Sequence, residues 1–486
     1  MPDSDSDATA RLPASVEVTP GGPVEGVIRP PGSKSLTNRA LICAAFANGR
    51  SELTGALQSE DTKVMIDALR SIGVQIDISD GGKTLVVNGQ GAGRQAITLP
   101  ANDSGKLQEL YVANSGTTIR FLAAALSAAG GHYRLVGVER MHQRPIGDLV
   151  DALQMVIDGS IQAISPGGCP PVEIRCSGWK GNKLDVGGSV SSQYLSGLMM
   201  AAPLVAEADD ASEAGQAKAP FNQHSTQILV SGELVSRPYV DMTAKVMRSF
   251  GAKLSLKDGG LPSDPALVVE VETGGYSPTP YEIEPDASAA SYFWAAAAIT
   301  GGKVTVQGLS RGAIQGDVGF CEVLEKMGCL VQYEDHCIRV EGRPLQGVDV
   351  DMNEISDTVQ TLAVVALFAS GPTRVRGVAH NRFKETDRIG DLARELRKLG
   401  ATVEEHEDGL TIHPVERPER QMADHKVVLE TYHDHRMAMS LSLAGLRISG
   451  VQIVNPACTG KTYPEFFSDL ETLIGRSHQW LASESR

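Results

Sequence analysis

The chain has 486 residues, a formal net charge of −15, 42% hydrophobic and 21% charged residues. That length is more than one core serves, so at least two domains are expected, and the negative charge argues against non-specific binding to nucleic acid or an anionic membrane. No run approaches the ~18 uninterrupted apolar residues of a spanning helix, and seven cysteines without a CxxC pair fit a reducing cytoplasm.

In chain order, residues 1–15 open MPDSDSDATA, acidic and rich in small residues, and are expected to form a disordered tail. A polar start and a small-residue helix follow (TNRALICAAFANG), then a β-rich stretch, an amphipathic helix (VMIDALRSIG) and another strand. The same order recurs from Thr117 (TTIRFLAAALSAAGGHYRLVG), Ser191 (SSQYLSGLMMAAPLV), Ser288 (SAASYFWAAAAITGGKVTVQG), Asp357 (DTVQTLAVVALFASGPTRVRG) and His435 (HRMAMSLSLAGLRISGVQIVN), which makes six internal repeats. The third is interrupted over about 207–223 by EADDASEAGQAKAPFNQ, expected to be a surface insertion. Gly49, Gly301, Gly371 and Gly450 are expected to end helices at C′, where a positive φ suits glycine. Cys321, Cys329 and Cys337 are evenly spaced and are expected to be core residues.

The first helix of each unit is apolar nearly all round and should be buried on every side, whereas the second is amphipathic. An α/β fold with helices inside and sheets outside follows. The uneven intervals between copies speak against a solenoid of regular period and for two closed domains of three units each.

Unusual side chains gather where the buried helices begin: Lys34, Ser35 and Arg39 in PGSKSLTNR; Asn114, Gly116 and Arg120 in NSGTTIR; Ser191, Ser192 and Gln193 in SVSSQY; Asp286; Asp357; and Asp434, His435 and Arg436 in HDHR. Arg144 in RMHQRPIG, Lys384, Glu385 and Arg388 in FKETDR, and Lys461 in CTGKTYPE lie in neighbouring loops. Helix N-termini offer unpaired N–H groups and a positive dipole end, so several of them aimed at one cleft beside cations suit phosphates and carboxylates. Taken singly, a Ser or Asp at a helix start is usually a cap. PGSKS lacks the GxxxxGK[ST] order of a nucleotide loop, and HDHR, without a second His/Cys cluster, reads as a salt-linked cap rather than a metal site.

PGSKSLTNRAL, NSGTTIR, RPIGDLVDAL, GSVSSQY, DASAASYF, FKETDRI, HDHRMAMS and KTYPEFF, in that order from about residue 20 to about 475, resemble the EPSP synthase (3-phosphoshikimate 1-carboxyvinyltransferase) family of enolpyruvyl transferases. The resemblance implies two domains of three βαβαββ units, like inside-out barrels. One would comprise 16–33 plus 284–476 and the other 34–283, with 477–486 a C-terminal tail. It implies a cytoplasmic, monomeric enzyme without metal or organic cofactor, taking phosphoenolpyruvate and shikimate-3-phosphate as small-molecule partners. By motif, shikimate-3-phosphate would be held by Lys34, Ser35, Arg39, Ser191, Ser192, Gln193, Ser236 in LVSRPY, Asp357 and Lys384. Phosphoenolpyruvate would be held by Lys34, Gly116, Arg144, Gln193, Arg388, Arg436 and Lys461. Asp357 would be the base, Glu385 the acid, and Lys34 would stabilise charge. Ser115 and Phe121 stand where Ala and Pro are familiar, and either His380 or Asn381 would touch shikimate-3-phosphate. A related transferase acting on UDP-N-acetylglucosamine carries Asn after the first Lys and Cys in the mobile loop; here Ser35 follows Lys34 and MHQRPIG has no Cys. A non-catalytic polyanion-binding scaffold would account for the cations but not for Asp357 and Glu385 among them.

Overall fold

A computed structural model describes residues 13–91, 106–189, 191–205, 225–261, 264–415 and 426–482. Most of the expected disordered tail, and the whole 207–223 insertion, lie outside these residues.

Helices come in pairs, one pair per repeat. They are α1 (Lys34–Ala45) and α2 (Glu60–Ser71), α3 (Gly116–Ala129) and α4 (Gly147–Gln154), α5 (Ser192–Ala201) and α6 (Arg237–Ser249). The second half adds α7 (Ala287–Thr300) and α8 (Phe320–Lys326), α9 (Val359–Ala366) and α10 (Gly390–Lys398), α11 (His435–Ala444) and α12 (Phe466–Ile474). In α3 and α9 every residue is buried, and in α7 all but the last, as helices apolar on all faces require. Helix α10 buries only Leu392, Ala393, Glu395 and Leu396, one stripe of an otherwise charged surface helix.

Among the described residues six four-stranded sheets cover the buried helices, all with the same pairing. In one, Gln108–Tyr111 pairs in parallel with Gly131–Val136 across α3, and the hairpin Ile157–Ser165/Cys169–Trp179 adds antiparallel. Three sheets are completed by strands distant in sequence. Pro280–Glu282 pairs in parallel with Asn48–Thr54, Glu25–Ile28 with Lys303–Gln307, and Ser15–Glu17 lies antiparallel to Val451–Val454. The chain therefore passes between two bodies near 28–34 and 282–287, where Gly32 bridges Pro285. Buried apolar side chains form two separate cores, one from Leu36 to Ile283, the other from Val16, Val18, Val24 and Ala287 to Leu470.

Four local expectations are corrected. Ser15 is not tail but the first residue of a strand. Nor is the chain after 476 a tail: Gln479–Leu481 pairs with Ser15–Glu17, and Trp480 packs its ring 5.5 Å from that of Phe467. Of the four glycine stops, all have positive φ, but only Gly301 follows directly on a helix end. Gly49 lies inside Asn48–Thr54 because α1 already stops at Ala45. Cys321 and Cys329 are buried in the second core, whereas Cys337 is half-buried on a strand.

Candidate active site

The N-termini of α1, α3, α5, α9 and α11 carry the side chains singled out above. Ser191 caps α5 by accepting from the Gln193 N–H, and Asp434 caps α11 by accepting from the Arg436 N–H at 2.8 Å. Asp286 is a plain cap, accepting from Ala289 N–H at 2.9 Å.

A chain of alternating charges runs through the junction of the two cores. Lys461 Nζ donates to Glu385 Oε1 (2.9 Å), Arg388 Nη2 to Glu385 Oε2 (2.9 Å), Arg388 Nη1 to Asp357 Oδ1 (3.1 Å) and Arg436 Nη2 to Asp357 Oδ2 (2.7 Å). Asp434 anchors Arg388 through bonds of 2.7 and 3.2 Å, so HDHR is a salt-linked cap as its composition indicates. The first core reaches into the same chain. Arg144 Nη1 lies 3.9 Å from Glu385 Oε1, Lys461 donates to the Asn114 carbonyl at 3.0 Å, and Arg140 donates to the Glu385 and Lys384 carbonyls at 3.0 and 3.1 Å.

Asp357 thus bridges two cations and Glu385 adjoins three, which sets their protonation. Burial alone would raise the Asp357 carboxyl; Arg436, Lys384, Arg388 and Lys34 together hold it far below the usual range. Burial is likewise outweighed at Glu385 by Lys461, Arg388 and Arg144. Lys384 is drawn down to about 8 by burial, against the pull of Asp357. His435, deeply buried beside Arg436 and Lys34, is held neutral; its Nδ1 lies 3.6 Å from Asp434 Oδ1, and neither ring nitrogen has a hydrogen-bond partner among the described residues.

Gly116 opens α3 where a Cβ would lie 2.6 Å from Arg120 Nη1, 2.7 Å from Arg144 Nη2 and 3.1 Å from Gln193 Oε1. The glycine therefore permits two guanidiniums and an amide to close over a helix N-terminus. Arg120 donates to Gln193 Oε1 at 3.0 Å, and the Nε of each arginine has no hydrogen-bond partner among the described residues. A cavity here is walled by Arg120, Arg144, Ser191, Gln193, His380 and Lys384. A roomier cleft of about 900 Å³ opens elsewhere, beside Val27, Arg29 and His336, and none of the motif residues line it.

Lys34 Nζ sits 3.2 Å from Asp61. Ser236, in the left-handed region at φ 54°, faces Ser356 at 3.3 Å and His380 Nε2 at 3.4 Å. His380 thus borders the cavity, while Asn381 is wholly buried and donates to the Ser356 carbonyl. Arg39, 1% exposed, donates to Thr243, Ser196 and the Ser35 carbonyl, and its guanidinium lies 5.2 Å from the Phe121 ring centroid. Ser115 caps α3, which begins at Gly116 with Phe121 in place. Asp61, Tyr239 and Asp317 lie here too, outside the candidate site residues of the sequence. Tyr239 has a signal, three residues after Ser236 in LVSRPY; the other two carry none. Among the described residues no group of three or more His, Cys, Asp or Glu is placed to hold a metal, and no helix is long and apolar enough to cross a membrane.

A family model for EPSP synthase (3-phosphoshikimate 1-carboxyvinyltransferase) matches residues 18–470. The chain belongs to that family. It is 41% identical over 453 residues to a 3-phosphoshikimate 1-carboxyvinyltransferase of Colwellia psychrerythraea, covering 93% of this chain and 98% of that one. It is 42% identical over 465 residues to that of Actinobacillus pleuropneumoniae serotype 5b, covering 95% and 99%. Among solved structures, EPSP synthase from Acinetobacter baumannii superposes with a TM-score of 0.73 at 26% identity, covering 96% of this chain and 98% of that one. The enolpyruvyl transferase NikO from Streptomyces tendae shares the fold, with a TM-score of 0.70 at 17% identity, covering 96% and 98%. The six-unit α/β architecture is therefore that of the enolpyruvyl transferases.

Proposed function

We propose that the protein transfers the enolpyruvyl group of phosphoenolpyruvate to the 5-hydroxyl of shikimate-3-phosphate and releases phosphate, by addition and then elimination. The observation that carries this reading is the alternation Lys461–Glu385–Arg388–Asp357–Arg436 at the meeting of several helix N-termini. A simple anion trap would not interleave carboxylates with its cations; a site that must both bind anions and move protons would.

In this reading phosphoenolpyruvate lies against Lys34, Gly116, Arg144, Gln193, Arg388, Arg436 and Lys461. Shikimate-3-phosphate lies against Lys34, Ser35, Arg39, Ser191, Ser192, Gln193, Ser236, Asp357 and Lys384, with His380 rather than Asn381 beside it. The methylene carbon takes a proton, with Glu385 as the acid. The 5-hydroxyl oxygen then bonds to the adjacent carbon while Asp357 takes its proton. Loss of phosphate and of one methyl proton from the tetrahedral adduct restores the double bond. Both carboxylates are poor proton carriers while these cations hold them. Anionic substrates compete for Lys461, Arg388 and Arg436, and this raises the proton affinity of Glu385 and Asp357 at the moment of binding. Lys34 stabilises negative charge on both reactants. No metal or organic cofactor enters the scheme. The two bodies, 15–33 plus 284–481 and 34–283, act as domains of a cytoplasmic monomer.

Phosphate release measured with phosphoenolpyruvate plus shikimate-3-phosphate, and separately plus UDP-N-acetylglucosamine, tests the assignment. Release with the first pair alone is expected. Release with the second, or with phosphoenolpyruvate unaccompanied, contradicts it.

A further inference from the structure

Behind Asp357 lies a second buried carboxyl that the proposed reaction does not use. Asp317, in the turn Gly316–Gly319 leading into α8, is 4% exposed. Its Oδ2 accepts from Ser288 Oγ and lies 3.4 Å from the Tyr239 hydroxyl, and its Oδ1 has no hydrogen-bond partner among the described residues. Both contacts lead to Asp357. The Tyr239 hydroxyl donates to Asp357 Oδ2 at 3.0 Å, and Ser288 Oγ lies 3.4 Å from Arg436 Nη2, which bonds the same Asp357 oxygen.

The charged and polar groups facing Asp317 are Asp286 and Ser288 from the start of α7, Tyr239 from α6, Arg436 from α11 and Asp357 from the turn before α9. Two carboxyls therefore adjoin one guanidinium. Asp357 holds it, with Arg388 as a second cation, while Asp317 has no ion-pair partner among the described residues. Two carboxyls sharing such a site do not both ionise readily, and the one without its own cation keeps the proton.

Resting on the reaction proposed above, we propose that Asp317 is a positioning residue. As a neutral carboxylic acid it donates to the Tyr239 oxygen, which commits the Tyr239 proton to Asp357 and leaves Arg436 to Asp357 and the anionic substrate. When Asp317 loses its proton to solvent, its new charge competes for Arg436 and the grip on phosphoenolpyruvate weakens. The timing suits a switch near neutrality, since burial and the charge of Asp357 push Asp317 up to about 7.

Asp317→Asn keeps the shape and cannot ionise. Calorimetric dissociation constants for phosphoenolpyruvate, in the presence of shikimate-3-phosphate, are compared between wild type and variant, so that titration of the substrates themselves cancels. The wild-type to variant ratio is expected to rise on the order of 10-fold between about pH 6 and about pH 8.5, the effect of one added charge a few ångströms from Arg436. In the same interval, infrared difference spectra of the wild type should lose a protonated-carboxyl band that the variant lacks. A flat ratio with wild-type turnover intact overturns the role of Asp317 and leaves the reaction standing; absent turnover overturns the reaction instead. If the variant does not fold, the wild-type spectrum decides alone, and absence of the carboxyl band refutes the proposal.

Discussion

Gly116→Ala is the sharpest single perturbation of the candidate site. The backbone at Gly116 is helical, so alanine fits locally and the cost falls on the neighbours. The added carbon would sit 2.6 Å from Arg120 Nη1 and 2.7 Å from Arg144 Nη2, well inside ordinary contact. Both guanidinium ends must retreat by roughly 1 Å, a displacement that costs on the order of 10²-fold where groups hold a reacting molecule in place. Arg144 also faces Glu385 and donates to Asn114, so its retreat loosens the link between the two cores. The kcat/KM for phosphoenolpyruvate should therefore fall about 100-fold. Calorimetric affinity for shikimate-3-phosphate and the thermal unfolding midpoint should change little. Steady-state kinetics at saturating shikimate-3-phosphate measures the first quantity. A variant with unchanged kcat/KM would show that Gly116 does not border the phosphoenolpyruvate position. Equal losses for both substrates would show a general disturbance of α3.

Asp357→Asn removes the proton acceptor and frees Arg388 and Arg436 from a competing carboxylate; turnover should drop by roughly 10²-fold or more, while phosphoenolpyruvate binding holds or tightens. Loss of binding in step with turnover would make Asp357 a ligand-holder. Ser191→Ala combined with Ser192→Ala strips two hydroxyls from the start of α5 and should weaken shikimate-3-phosphate more than phosphoenolpyruvate in calorimetry; equal weakening argues against that division of the site. Asp357 and Glu385 are held below their unfolded values of about 3.9 and 4.3, so each contributes stability that is present above those values and lost as pH falls through its lowered folded value. Urea midpoints should decline from about pH 5 to about pH 3, and less steeply in Glu385→Gln; identical slopes would refute the linkage.

The helix starts are legible because each is written locally, as a polar residue before an apolar run. Lys34, Asp434 and Arg436 therefore stand out in the sequence alone. Partners from distant segments do not. Asp61 meets Lys34 only after α1 and α2 fold back together, and Tyr239 meets Asp357 across 118 residues of sequence. Asp317 sits in a turn between helices, where no repeat pattern marks it. The closing strand Gln479–Leu481 is hidden for the same reason, since its partner lies at Ser15–Glu17. Gly49 misleads in the other direction: its positive φ serves the entry of a strand rather than the end of α1. Arg39, which its motif makes a substrate contact, has its guanidinium already engaged by Thr243 and Ser196. A helix pattern shows that a residue begins a buried helix, not which distant side chains it meets there.

In the proposed reaction this site protonates the enolpyruvyl methylene, bonds the neighbouring carbon to the shikimate-3-phosphate hydroxyl, and then expels phosphate. Turnover of phosphoenolpyruvate and shikimate-3-phosphate in deuterium oxide, followed by mass spectrometry of the product, tests activity and route together. The product should be the enolpyruvyl ether of shikimate-3-phosphate with deuterium in its vinyl methylene, since the transient methyl group gains a solvent deuteron and then loses a hydrogen. A condensed product free of deuterium, or no condensed product at all, would contradict it.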